Sequence, residues 1–391
     1  MKDIAKFKQN GVVIYQNRAQ SKKNKGTNHT LTRGNYNGKL SEKSKKNISQ
    51  YLNIWLSGLL FIIEDCKKIL LHPDKADILQ EWDILAPEYD IKEDIFTMYE
   101  HLLIKPSFIT LTLSSEQIHD DKFIKRHMLN RFIQTCKRKY NVIFYYFYAE
   151  KQKNGNLHFH LIFDRYIDWQ MLRNDWNDVQ SDNGYITAYQ KKMQDKYANG
   201  FFVDETLLKF ADETKQRERY EAGKATNWTN PNSTDIKAVG DTHTVAQYIT
   251  KYSSKDEKRG KKGKTGSEGE AKPNQSEKAQ KTKVSGRLWG CSDELRGFKY
   301  WQTEDTQAQA KINEYLEKHA DTFTIEGDFF KFISYRTWES VKGISDEVFA
   351  EIRANIVEQV THAYRLRGVD IYEAMLLRFL QMAYNTAAEG K

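Results

Sequence analysis

The chain has 391 residues, enough to bury a sizeable core and to form two to three domains. Its three cysteines, Cys66, Cys136 and Cys291, are too few and too scattered for a disulfide framework or a zinc ribbon, which makes a reducing cytoplasm the expected compartment. The formal net charge of +8 is concentrated in two stretches: nine Lys/Arg against one acid between Arg18 and Lys46, and eleven against five between Lys255 and Arg287.

Residues 1–46 read as a basic flexible arm, because Met1 to Gln9 is polar with no signal pattern and the following stretch is rich in Lys, Gly, Ser and Asn. Mobile cationic segments suit a polyanion partner through counterion release. Residues 47–104 read as a helical segment: apolar residues from Ile48 to Leu70 keep helical spacing, and Pro73 ends the stripe. Its most apolar run, Leu52 to Ile63, contains Asn53, Ser57 and Gly58 and stops at Glu64-Asp65, short of a membrane span.

From Lys105 the pattern changes to strand, helix and hairpin: Phe108–Leu113, Asp121–Tyr140, Asn141–Ala149 and Leu157–Phe163. That order predicts an α+β fold, a central antiparallel sheet with helices on one face. Residues 164–240 predict short helices and a turn-rich run, Ala222 to Asp235, as a DNA-contacting insertion. Trp169, Trp176, Tyr185, Tyr189 and Trp228 could stack on unpaired bases, with about one in three of them expected outside the core. A mobile basic insertion over 255–285 leads to a returning strand at Gly286–Cys291, and 301–391 reads as a mostly helical C-terminal domain, strongest over Ile344–Ala388.

The hairpin carries the chemistry. Leu157-His-Phe-His-Leu-Ile-Phe163 alternates, so His158 and His160 share one face while Leu157, Phe159 and Leu161 enter a core. A two-residue Asn154-Gly155 turn would set Glu150 opposite Phe159. A three-residue loop, Lys153-Asn154-Gly155 with Gly155 left-handed, instead pairs Glu150 with His158 and Tyr148 with His160, and this is the predicted register. It makes Glu150, His158 and His160 a candidate ligand set for Mg²⁺ or Mn²⁺ with positions left open. Downstream, Thr244 to Lys255 predicts a helix on which Tyr248 and Tyr252 lie one turn apart, with Lys251 and Lys255 beside them to stabilise a phenolate.

Phe108-Ile-Thr-Leu-Thr-Leu113, the His158-Phe-His160 strand and Tyr248-Ile-Thr-Lys251-Tyr252-Ser-Ser-Lys255 resemble, in that order, the three motifs of HUH-type rolling-circle replication initiators. The two-tyrosine form most resembles the initiators of microvirus-like single-stranded DNA phages. Glu150–Asn156, Trp176-Asn177 and Gly286–Ser292 are also similar to segments of phage members. The resemblance covers roughly Lys105 to Ser292, which defines the predicted endonuclease domain over 105–300.

The resemblance implies a site-specific DNA endonuclease and strand transferase. Its divalent ion sits on His158, His160 and Glu150, Tyr248 or Tyr252 attacks to leave a 5′-phosphotyrosyl bond and a free 3′-hydroxyl primer, and Lys251 and Lys255 assist. The implied partners are single-stranded or supercoiled origin DNA, a host helicase and a host DNA polymerase, in the cytoplasm of a bacterial host and without a membrane. A relaxase or transposase of a mobile element would use the same chemistry. A non-catalytic single-strand-binding module would use the same sheet, and a metal-dependent barrel enzyme built on H-x-H would need a downstream Glu where only Asp164 stands. Gly263-Lys264-Thr265 mimics the end of a P-loop, but residue 258 is Lys where the first Gly belongs, so the sequence shows no motor.

Overall fold

The computed structural model describes residues 3–8, 11–16, 40–81, 83–84, 106–238, 283–303, 310, 314, 324–327, 330–334 and 346–389. In chain order the elements are β1 (Asp3–Lys8), β2 (Gly11–Gln16), α1 (Glu42–Leu71), α2 (Lys75–Gln80), β3 (Ser107–Thr112) and α3 (Asp121–Phe123). A π-helical stretch (Ile124–Leu129) then leads into α4 (Asn130–Tyr140), β4 (Tyr145–Lys151), β5 (Leu157–Phe163), α5 (Trp169–Ser181), α6 (Tyr185–Lys196), α7 (Glu213–Ala225) and β6 (Thr234–Ala238). The remainder is β7 (Trp289–Cys291), β8 (Gln302–Thr303), β9 (Thr324–Gly327), β10 (Phe330–Ser334), α8 (Asp346–Arg365) and α9 (Ile371–Glu389). These elements fall into two compact units, one of them built from the described residues 106–238 and 283–291.

That unit is α+β, with an antiparallel sheet in the order β6-β3-β5-β4-β7. Strand periodicity divides its two faces. Ile109, Leu111, Leu157, Phe159, Leu161 and Phe163 are fully buried on one face. Helices cover that face: the Phe132 ring of α4 stacks 6.4 Å from Phe163 and meets Trp176 of α5 edge-on at 5.6 Å. The buried Trp176 indole donates to the Thr112 carbonyl at 2.9 Å, which satisfies its only polar atom. The opposite face carries Phe108, Thr110, Tyr148, Glu150, His158 and His160.

The helix and strand boundaries have local causes. Asp120 accepts from Phe123 N at 2.6 Å to cap the first turn. Asn141, at φ 53°, closes α4 in the left-handed region, so the strand expected from Asn141 begins only at Tyr145. The predicted turn-rich insertion is largely regular structure. Ala222–Ala225 end α7, and Thr234-Asp235 open β6, an edge strand paired with β3 from Ser107 to Leu111. Between them Trp228 stacks at 9° and 6.0 Å on Tyr197 and presses on Gly223, where a Cβ would stand 2.4 Å from the indole nitrogen. Packing, not exposure, explains that corner. Of the five candidate stacking aromatics, Trp176, Tyr185 and Trp228 are buried and Tyr189 is half-buried. Trp169 alone is exposed, under the Arg173 guanidinium at 4.4 Å.

The second unit is organised around α1. Ser41 caps it by accepting from Ser44 N at 3.1 Å, so the helix begins at Glu42 and takes up the last basic residues of the predicted arm. Trp55, Leu56, Leu59, Ile62, Cys66 and Leu70 are fully buried. Val348, Ile352, Ile356 and Val360 of α8 are buried as their spacing predicts, and Gly368, at φ 71°, separates α8 from α9. Arg353 ties α8 to α1 through Asp65 Oδ1 at 2.5 Å and the Phe61 carbonyl at 3.1 Å. No described helix is long and apolar enough to cross a membrane.

Two expectations for this unit are corrected. Residues 3–16 form a hairpin rather than an arm, because Val12-Val13-Ile14-Tyr15 is β-branched and aromatic and pairs across Lys8-Gly11. The C-terminal part also contains a hairpin, β9–β10, whose second strand pairs with β2 in the sheet β8-β1-β2-β10-β9. Phe330-Lys-Phe-Ile alternates over too few residues to stand out beside two long helices.

The α1–α8 crossing has no room for a side chain at Gly58, where a Cβ would lie 2.4 Å from Val360 Cγ2 and 3.3 Å from Ile356 Cγ2. Gly58→Val is expected to cost about 1–3 kcal/mol through overpacking. Thermal denaturation checks this, and an unchanged midpoint would contradict the close crossing.

Candidate metal centre

The β4–β5 hairpin has the predicted three-residue loop. Gln152 N donates to Asn156 O at 2.9 Å, Gly155 N donates to Gln152 O at 3.0 Å, and Gly155 has φ 87°. That loop sets the register in which Glu150 faces His158 and Tyr148 faces His160. The hairpin tip is fastened from outside as well. Asn156 Oδ1 accepts from Gln117 N at 2.9 Å, and its amide donates to the Ser115 carbonyl at 2.8 Å.

Glu150 Oε1 lies 3.1 Å from His160 Nε2, and one ligand atom from each of Glu150, His158 and His160 lies within 4.8 Å of the others. Two ligands at right angles with bonds of about 2.1 Å are separated by about 3.0 Å, so the Glu150–His160 pair already has the spacing of an octahedral edge. Two imidazole nitrogens and a carboxylate oxygen form a donor set that fits a divalent ion. His160 is buried, whereas His158 and Glu150 are half-buried, so the cluster opens to one side. The donors can therefore grip an ion while leaving positions for oxygen ligands.

The rings are oriented by residues the sequence analysis did not select. His160 Nδ1 stands 3.4 Å from Thr110 Oγ1, and its ring stacks on Phe108 at 5.5 Å and 23°. When Nδ1–H donates to Thr110, Nε2 is left as the ligand atom. His158 Nδ1 stands 3.1 Å from the Gln152 amide, whose oxygen can accept from Nδ1–H in the same way. Thr110 could have been found by register, since β3 places it directly opposite His160. Gln152 is the residue just beyond the paired strand end and carried no sequence signal of its own.

Below the cluster a buried ion pair locks the hairpin to α3. Lys151 Nζ lies 2.6 Å from Asp121 Oδ1, both side chains being less than a tenth exposed. Burial raises the Asp121 carboxyl, but hydrogen bonds from Lys151, Gln117 and Ser285 N outweigh it and hold the group below its usual range.

Tyr248, Lys251, Tyr252 and Lys255 lie outside the described residues. The structure therefore brings together the three predicted ligands and describes none of the four other predicted catalytic residues.

The family of replication-associated proteins described by the names ORF2 and gene 2 protein matches residues 106–257, a span that runs from the start of β3 through all three sequence motifs. The match is consistent with a rolling-circle replication initiator. No match to the chain was found among curated proteins or among solved structures.

Burial, helped by His160 and opposed by Glu150, pulls the His158 imidazole down from its ordinary value to about 4. The ring is thus neutral and able to coordinate at any pH well above 4. The unfolded chain takes up this proton near pH 6.5 and the folded chain only near 4, so acidification through that window favours unfolding. In metal-free protein the His158 ring resonances should titrate near pH 4 by NMR; a midpoint near 6.5 would contradict the buried placement.

Proposed function

We propose that this protein initiates rolling-circle replication by nicking and rejoining single-stranded origin DNA through a tyrosine, in the two-tyrosine manner its motifs resemble. The observation that carries the reading is the convergence of Glu150, His158 and His160 on one face of the hairpin, inside a span that matches a replication-associated family.

In this reading Glu150, His158 and His160 hold a Mg²⁺ or Mn²⁺ ion, which supplies Lewis-acid polarisation of the scissile phosphate when bound. The phenolic oxygen of Tyr248 or Tyr252 attacks phosphorus as the P–O3′ bond breaks. The phenol loses its proton and the departing 3′-oxygen gains one, leaving a 5′-phosphotyrosyl bond and a 3′-hydroxyl that primes synthesis. Lys251 and Lys255 lower the cost of the phenolate by placing positive charge beside it. Bond energy is conserved, so the joining step is the reverse attack by a 3′-hydroxyl, and the second tyrosine can cut regenerated origin while the first still holds DNA. A host helicase and a host polymerase complete the cycle, and the bacterial cytoplasm is where this chemistry belongs.

The test uses the full chain, Mn²⁺ and labelled single-stranded DNA from the replicon that encodes it. A covalent adduct should survive denaturation and map to Tyr248 or Tyr252. Tyr248→Phe with Tyr252→Phe should abolish it, and His158→Ala with His160→Ala should slow its formation by at least about 100-fold. An adduct that persists in the double Phe variant, or its absence from the unaltered protein, would overturn the proposal.

A further inference from the structure

A groove of about 620 Å³ runs along the endonuclease-like unit between the π-helical stretch, the start of α4 and the chain at Ser285–Arg287. Its floor is apolar and aromatic, from Ile133, Tyr145 and Phe147, and its rim carries Lys122, Arg126 and Arg287. These three cations are exposed, and among the described residues none is paired with a carboxylate. None of the described residues that line the groove is acidic.

The groove is distinct from the metal cluster. Tyr145 and Phe147 sit opposite Phe163 and Leu161, whereas Glu150 and Tyr148 sit opposite His158 and His160, so the floor belongs to the helix-covered face of the sheet. Two features hold it open. Lys125 Nζ donates to the Ser285 carbonyl and, at 3.0 Å, to the Arg287 carbonyl, which pins the outer wall. Gly290 lies against the Phe147 ring, where a Cβ would come within 2.5 Å of Cε1, so glycine alone lets that ring settle beside β7. The inner wall is a π-helical stretch, a costly local geometry that recurs at functional sites.

A flat apolar floor beneath unpaired cations is complementary to a ligand with a flat apolar body and an anionic tether. The volume lies within the range of small-ligand sites. We infer that this groove takes one unpaired nucleotide of the bound DNA strand, its base against Phe147 and Tyr145 and its flanking phosphates against Arg126 and Arg287. It would anchor the strand away from the cut and thereby set which phosphate reaches the metal face. The inference rests on the DNA reading above and adds a second contact site to it. A strand reaching both sites passes around the β7 edge of the sheet.

The test is Arg126→Glu with Arg287→Glu in the full chain, two exposed positions whose exchange leaves the core intact. Binding of a fluorescent single-stranded oligonucleotide is measured across a salt series, and a 4-thiothymidine oligonucleotide is photocrosslinked to the unaltered protein. Expected are an affinity at least about 10-fold lower, a log–log salt dependence less steep by about 1.4 from two lost phosphate contacts, and crosslinks at Tyr145 or Phe147. Adduct yield at saturating DNA should stay unchanged. If the unaltered protein forms the adduct but the variant binds with the same affinity and slope, the groove assignment falls while the proposed function stands. If the unaltered protein neither binds nor forms the adduct, both fall. Loss of binding to an acidic host protein with DNA affinity intact would also overturn the inference.

Discussion

The candidate site depends on one constraint: the residue-by-residue register of β4 against β5. Side chains alternate strictly along a strand, so a slip of a single residue would turn Glu150 into the helix-covered core and place a carboxylate among Leu157, Phe159 and Leu161, all fully buried. Burying an unpaired carboxylate is far costlier than any turn preference, so the apolar face of β5 and the left-handed Gly155 select the same pairing from two directions. The cluster is a product of core packing. Imidazoles and carboxylate converge because everything on the other side of the strands must be apolar.

Around this register lies a set of polar ties that make the hairpin rigid. The Asp121–Lys151 pair, Gln117 and Asn156 link its tip to the segment between β3 and α3, and Ser285 N joins the same carboxylate. A buried ion pair adds little net stability over apolar packing, but loss of either partner strands the other charge, at a cost of about 3–5 kcal/mol. Such a pair specifies one arrangement more than it deepens the well. A metal site needs that property, because a ligand displaced by about 1 Å loses most of its value.

Much of this unit was legible in the residues. Strict alternation in β5, the Asn-Gly turn and the helical stripe of α4 are strong local signals, and they led to the sheet, the loop length and all three ligand positions. Elements whose signal is not local were missed. β6 is a short edge strand whose meaning comes only from pairing with β3, and β1, β2, β9 and β10 are short strands, two of which pair across more than 300 positions. Charge was misleading at the N-terminus, where the basic run beyond Arg18 hid a β-branched hairpin before it. Thr110 and Gln152 escaped because second partners of a histidine are defined by register and carry no residue pattern of their own.

The central claim is that Glu150, His158 and His160 close on a single divalent ion. Anomalous diffraction from crystals soaked in Mn²⁺ tests it most directly. One peak should appear about 2.0–2.4 Å from an oxygen of Glu150 and from a ring nitrogen of each histidine. Crystals that bind Mn²⁺ only elsewhere, or not at all, would contradict the account.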